Sequence, residues 1–447
     1  MKRHPTRAIA SRIALFATAL LVMVGSGGGG ALGQTADPAI EAELASIARE
    51  TAALRELPPL ERIDDVLMSR EALQAMLPAL IAQDLDPAEA EADARSLAAM
   101  GLIPEGIDLV DLSVRLMGEQ AAGFYDPLTD EMLVVFEGEG ELGIARYFYA
   151  HEIVHALQDA YLDPNDLMEE TVSVNGDATQ AQIALYEGDA VSASNDYLMQ
   201  HPELAIVILR EVGADFPELD QAPAAVGAAL IFPYTAGVAF VDRLRSDGGW
   251  EAVDAAYADM PASTEQILHP EKYFDRDTPA TLALPDPAAA LGAGWRAVDE
   301  DTLGELLTAM LLADLAPGAG FNAITGELDL PESARNAAAG WDGDRFALWE
   351  DAAGERETLV WRSAWDTPRD ARAFSHALAQ FGNTRRGSVF NGESADDIAL
   401  VTAEVAARIV LDNQQVLYVQ APELSLADAA LAALRSAPAP DPAPGPD

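Results

Sequence analysis

The sequence predicts an α+β chain: a mainly helical core that carries a short β-hairpin, followed by a small α+β C-terminal domain. Three observations lead there. Residues 38–118 are rich in Ala, Leu and Glu, with apolar residues at helical spacing such as Leu54, Leu57, Leu60, Ile63 and Leu67. Two apolar stretches flanking Asp126-Pro127 then break the pattern. From about Asp342 onward, strand-like and helix-like runs alternate.

Taken in order, the first element is a targeting segment. Lys2, Arg3, Arg7 and Arg12 precede the apolar run Ile13–Val24, and Ala31–Gly33 ends it with small residues. That layout predicts an export signal over 1–33, cleaved near Gly33, with an uncleaved N-terminal anchor as the alternative. Residues 34–118 follow as a helical N-terminal region that Pro58, Pro78, Pro87 and Pro104 punctuate into short helices. The stretch Ala122–Phe136 ("AGFYDPLTDEMLVVF") reads as a hairpin. Helical patterns then run from about Leu142 to Tyr161, Asp177 to Met199 and Thr235 to Ser246, and over "DGGWEAVDAAYADMP". Together residues 119–335 make the central domain.

The C-terminal domain is expected over 336–436. "RFALWED", "TLVWRSAWD" and "QVLYVQA" are strand-like, "TPRDARAFSHALAQF" is helical, and Ser425 with Asp428 three residues on marks the start of a last helix. The Pro/Ala/Asp tail, 437–447, has nothing to bury and is expected to be disordered.

Composition excludes some chemistry. There is no cysteine, so neither disulfides nor thiolate ligands are available, and a metal must be held by His, Asp or Glu. The formal net charge is −47; without residues 1–33 the balance is 23 basic against 74 acidic side chains, or −51. Such a surface repels nucleic acid and anionic membranes. The uncharged run Gln221–Val241 is long enough to cross a bilayer, but it is rich in Ala and Gly and interrupted by Pro233. It reads as a loop followed by a buried helix, leaving no membrane span beyond the N-terminal segment.

The chemistry concentrates at Ala150–Asp159, "AHEIVHALQD". Residues i and i+4 of a helix share a face, so His151 and His155 can both aim ring nitrogens at one ion. Glu152 beside them can reach a water there without ligating the metal. A chance HExxH is expected in fewer than roughly one chain of this kind in a hundred. The bland alternative is an amphipathic helix with two incidental imidazoles. A third ligand is offered by Glu187 in "ALYEGDAV", 32 residues after His155, where small Gly188 and Ala190 would allow close helix packing. In so acidic a chain a solvated glutamate is the ordinary reading, so spacing alone does not assign Glu187.

"HEIVH", then "EGDA", then "FPYTAGVAFVDRL" resembles the gluzincin group of zinc metallopeptidases, in particular its small peptidase-MA-like members, over roughly residues 120–275. The resemblance implies a zincin-like core, Zn2+ held by His151, His155 and Glu187, and Glu152 as general base. It also implies a peptide or protein substrate paired with the edge of the hairpin before the HExxH helix. The common gluzincin pattern places an Asp four residues after the ligand Glu; here Val191 stands there, so Asp159 is the expected partner of a ligating imidazole, ahead of Asp189. Tyr234 falls where such members have a Tyr-x-x-Gly helix and is the expected oxyanion donor. In "STEQILHPEKYF", His269 beside a proline in an acidic loop has little packing use and is the other catalytic candidate. The expected protein is thus an exported zinc peptidase. The alternative is a non-catalytic metal-containing protein of the cell envelope that captures peptides or serves as a scaffold.

Overall fold

The computed structural model describes residues 37–438 except 121–122, 128, 137–141, 163, 165–174, 212–215, 321–327, 387–388, 391–395 and 437. The expected export signal and, Pro438 apart, the expected disordered tail lie outside the described residues. The chain is α+β.

Helix α1 (Pro38–Leu54) starts at Asp37, whose carboxylate accepts from Ala39 N at 2.9 Å, with Pro38 in the first turn. Its stripe Ile40, Leu44, Ile47 and Ala48 is buried in the same cluster as Tyr149, Ala150 and Ile153. The sequence pattern continues as helix through Leu67, but the chain leaves the helix after Leu54: Glu56 takes a left-handed conformation (φ 61) and Pro58-Pro59 follow. Prolines cannot donate a helical hydrogen bond and restrict the residue before them. Strand β1 (Asp64–Met68) comes next instead. Helices α2 (Arg70–Asp84), α3 (Pro87–Met100) and α4 (Leu109–Gln120) complete the N-terminal part. Pro78 lies inside α2 rather than ending it, flanked by buried Leu77, Leu80 and Ile81 whose packing offsets the lost backbone bond.

The hairpin forms as expected, from β2 (Gly123–Asp126) and β3 (Glu131–Val135). The sheet order is β1-β3-β2, with β1 parallel to β3, so β2 is an edge strand. Helices α5 (Ala145–Tyr161) and α6 (Gly176–Gln200) follow, the second buried nearly all round. Such a helix belongs to a core.

Short helices α7 (Pro202–Glu211) and α8 (Pro217–Gln221) lead to α9 (Ala224–Phe232), a π-helical turn at Pro233–Gly237, and α10 (Val238–Tyr257). The expected loop before Pro233 is therefore helix: "AAVGAALIF" is buried almost throughout, and the π turn absorbs the proline. Gly248 and Gly249 leave helical geometry, separating the two helices expected there. Residues 224–257 are the one described segment long and apolar enough to cross a membrane; 67% of its apolar window is buried inside the protein.

The remainder contains α11 (Thr264–Leu268), α12 (Pro270–Phe274), α13 (Ala288–Leu291), β4 (Arg296–Asp301), α14 (Gly304–Ala313) and α15 (Glu332–Ala338). Then come β5 (Trp341–Glu350), β6 (Glu357–Trp365), α16 (Pro368–Arg386), β7 (Val389–Phe390), β8 (Asp397–Val401), β9 (Ala406–Asp412), β10 (Gln415–Ala421) and α17 (Leu424–Leu434). All seven strands form an antiparallel sheet ordered β4-β5-β6-β10-β9-β8-β7. Its first strand precedes residue 336, the boundary the sequence pattern suggests. The last helix begins at Leu424, one residue before Ser425, with no side-chain cap.

Candidate metal centre

Helices α5 and α6 pack side by side, with α1, β2 and the π turn around them. The α6–π-turn contact is backbone against backbone. A Cβ on Gly188 would lie 2.9 Å from Val238 N and closer still to the Gly237 carbonyl; one on Gly237 would lie 2.9 Å from the Ala184 carbonyl carbon. Gly188 therefore serves the approach of the Tyr234 turn to α6.

At this junction the structure brings His151, His155 and Glu187 together, all buried. The two Nε2 atoms are 3.1 Å apart, and Glu187 Oε2 stands 3.2 Å from His151 Nε2 and 3.5 Å from His155 Nε2. Ligand atoms about 2.0–2.1 Å from a tetrahedral ion stand about 3.3 Å from one another. The triangle has that size.

The polar atoms of the site point the same way. Both Glu187 carboxylate oxygens and the Tyr234 hydroxyl are buried with no hydrogen-bond partner. The imidazoles approach Glu187 in distance, yet in a geometry that makes no hydrogen bond. Buried carboxylates are rarely left so, and two nitrogens plus a carboxylate suit a cation such as zinc. Burial pushes the Glu187 pKa up, but His155 and His151 outweigh it and hold it below the usual range. Burial likewise works against charge on His155, and Glu187 overrides it upward.

Glu152 is 5% exposed, and its Oε2 accepts from the backbone N–H of Tyr125 in β2 at 3.0 Å. Burial raises its pKa, opposed by His151 and His155 and assisted by Glu187. A buried carboxylate of raised pKa, beside the ligands without joining them, can take up and release a proton. The Tyr234 ring lies 6.3 Å from that of His151. Burial, then Glu187 and Glu152, push its phenol well above the ordinary range, so it stays a donor.

His269 is not one of the three converging side chains. Its Nε2 faces Glu305 Oε1 at 3.0 Å, and the neighbouring Lys272 binds Glu265 and Asp366 at 2.6 and 2.8 Å. This segment ties α11 and α12 to α14 and to the turn after β6. Asp159 accepts from the Tyr125 hydroxyl at 3.0 Å. The partner of His155 Nδ1 is Gln158 Oε1 at 2.8 Å, a residue the sequence reading passed over although i and i+3 share a helix face. Tyr186 stacks on the His155 ring at 4.4 Å.

Residues 291–431 are similar to a family described as a domain of unknown function (DUF8575). That stretch takes in the seven-stranded sheet, under a third of the chain, and none of the residues of the candidate metal centre. No curated protein and no solved structure matches the chain.

Proposed function

We propose that the protein is a zinc-dependent hydrolase of the peptidase type, with a zincin-like core, acting on peptide or protein substrates outside the cytoplasm. The observation that carries this is the buried His151–His155–Glu187 triangle with Glu152 beside it and held off it by β2. The residues of the sequence resemblance (HExxH, EGDA and Tyr-x-x-Gly) meet at one place. Export rests on the N-terminal sequence pattern alone.

His151 Nε2, His155 Nε2 and Glu187 would hold the ion. Bound zinc supplies Lewis acidity, making a water nucleophilic at neutral pH and polarising a carbonyl. Glu152, fixed by the Tyr125 N–H, accepts the proton from the attacking water and returns it to the leaving amine. Tyr234 donates its hydroxyl hydrogen to the oxygen on which negative charge develops. Among the described residues β2 pairs with β3 alone and holds Glu152, so an extended substrate adding to its other edge would bring its backbone past the base.

The purified protein is expected to hold one zinc per chain, and Glu152→Gln to keep that zinc while losing turnover of a peptide library. A chain without stoichiometric zinc refutes the assignment. Full activity in Glu152→Gln places the base elsewhere, and a chelator-insensitive library that is bound but not cut favours the non-catalytic alternative.

A further inference from the structure

The least explained feature of the core is a fully buried arginine. Arg55, which follows α1, is 0% exposed. It donates to Asp189 through Nε at 2.6 Å and Nη2 at 3.2 Å, and to Asp254 through Nη2 at 2.6 Å. Its guanidinium carbon lies 4.3 Å from the centre of the Trp250 ring. Burial works against this charge, yet Asp189 overrides it and holds the pKa above its ordinary value. Taking a charge pair out of water is costly and is rarely the most stable choice for a core. The pair is better explained by what it positions.

Asp189 lies two residues past Glu187. Its Oδ2 also accepts from Gln158 Nε2 at 3.0 Å and from the Tyr257 hydroxyl at 2.9 Å. The amide nitrogen of Gln158 faces three oxygens: Asp189 Oδ2, the Tyr186 carbonyl at 3.0 Å and the Tyr257 hydroxyl at 2.8 Å. That surrounding fixes the amide orientation, leaving its oxygen toward the imidazole. An amide oxygen only accepts, so His155 Nδ1 carries the hydrogen and Nε2 keeps its lone pair toward His151 and Glu187. A metal-binding imidazole needs that tautomer.

We propose that Arg55, Asp189 and Gln158 form a positioning chain that sets the tautomer and orientation of His155 for a divalent cation. Helix α1 and its Arg55 are then part of the metal centre rather than a detachable cap. This rests on the metal reading above. None of the three touches the cation; each acts through the next. The negative charge of Asp189 stands one group out from the imidazole, balanced by Arg55, while a neutral amide makes the direct contact.

The test is zinc affinity of the full-length chain, read by competition with a chromophoric chelator, with unfolding of the metal-free protein measured separately. Gln158→Leu and Arg55→Met are expected to bind zinc about 10–100-fold more weakly. Arg55→Lys recovers part of the loss, since an ammonium restores the charge but not the planar fork that grips both oxygens of Asp189. Leu77→Ala, in the core beneath α2, is expected to destabilise the metal-free protein while leaving zinc affinity within about twofold. Should Gln158→Leu not fold, Tyr257→Phe, which removes one oxygen holding the amide, shifts affinity in the same direction by less. Wild-type affinity in the Gln158 or Tyr257 variant, or an equal loss in Leu77→Ala, overturns the positioning chain. A wild-type chain that binds no zinc instead overturns the metal reading on which it stands.

Discussion

Gly237→Ala tests the contact that presents Tyr234 to the ligand helix. Gly237 has helical geometry, φ −60 and ψ −46, so alanine by itself favours the fold there by about 0.5–1 kcal/mol. Packing opposes it. The new carbon would sit 2.9 Å from the Ala184 carbonyl carbon and 3.1 Å from its Cα, whereas relaxed carbon contacts are about 3.5–4.0 Å. Those neighbours are main chain in the middle of α6 and have no rotamer to change, so the π turn must back away by roughly half an ångström or more. Overpacking of this kind costs about 1–3 kcal/mol, with rigid backbone at the upper end. A net destabilisation of about 2 kcal/mol is expected, read as a lower urea midpoint at unchanged slope in chelator-treated protein. Turnover by the zinc-loaded variant should fall further than the folded fraction does, because Tyr234 moves with the turn. An unfolding midpoint equal to or above that of the wild type would refute the backbone contact and the argument built on it.

Tyr234→Phe should keep zinc and lose about 10²–10³-fold in kcat, the usual cost of one oxyanion donor; unchanged kcat assigns that role to another group. Zinc at 100 times its dissociation constant should stabilise the wild type by about 2.7 kcal/mol, and His155→Ala should show none of that increment in a thermal melt. Asp177 gives a pH dependence: it is 3% exposed, and burial raises its carboxyl to about 8, with Thr264 opposing through a 2.5 Å hydrogen bond. The folded state binds this proton more tightly than the unfolded one, so its stabilisation is complete below the ordinary carboxyl range and is lost as pH rises toward 8. Urea midpoints at pH 5 and 9 should therefore differ less for Asp177→Asn than for the wild type, and an identical difference rules this out.

The candidate centre was legible where chemistry and periodicity coincide. HExxH fixes two imidazoles on one helix face with a carboxylate next to them around the helix, whatever lies around it, and Glu187 and Tyr234 came from motif order. His269 was singled out because an imidazole beside a proline has little packing use, and the pattern could not show its contact with Glu305, 36 residues on. Asp159 was favoured over Asp189 because carboxylates commonly orient ligating imidazoles and it lies one turn beyond His155; Gln158 was passed over, and the partner of Asp159, Tyr125, lies 34 residues earlier in a strand. Leu57, Leu60, Ile63 and Leu67 do share one core with α1, as their spacing implied, yet a turn and β1 deliver them there. A repeating apolar pattern reports shared burial more surely than it reports the backbone that achieves it. Arg55 carried no local signal, since its partner is 134 residues distant.

Helix α6 is held at its first residue and near its middle by remote segments. Asp189 is bound by Arg55, and the backbone N–H of Gly176 donates to Asp301 at 2.8 Å. During synthesis, a nascent chain that has passed the HExxH codons but not yet reached β4 has the two imidazoles without the finished support of their third partner. Completion of the support around α6 is thereby deferred until about two thirds of the polypeptide is available, a high-contact-order step in folding.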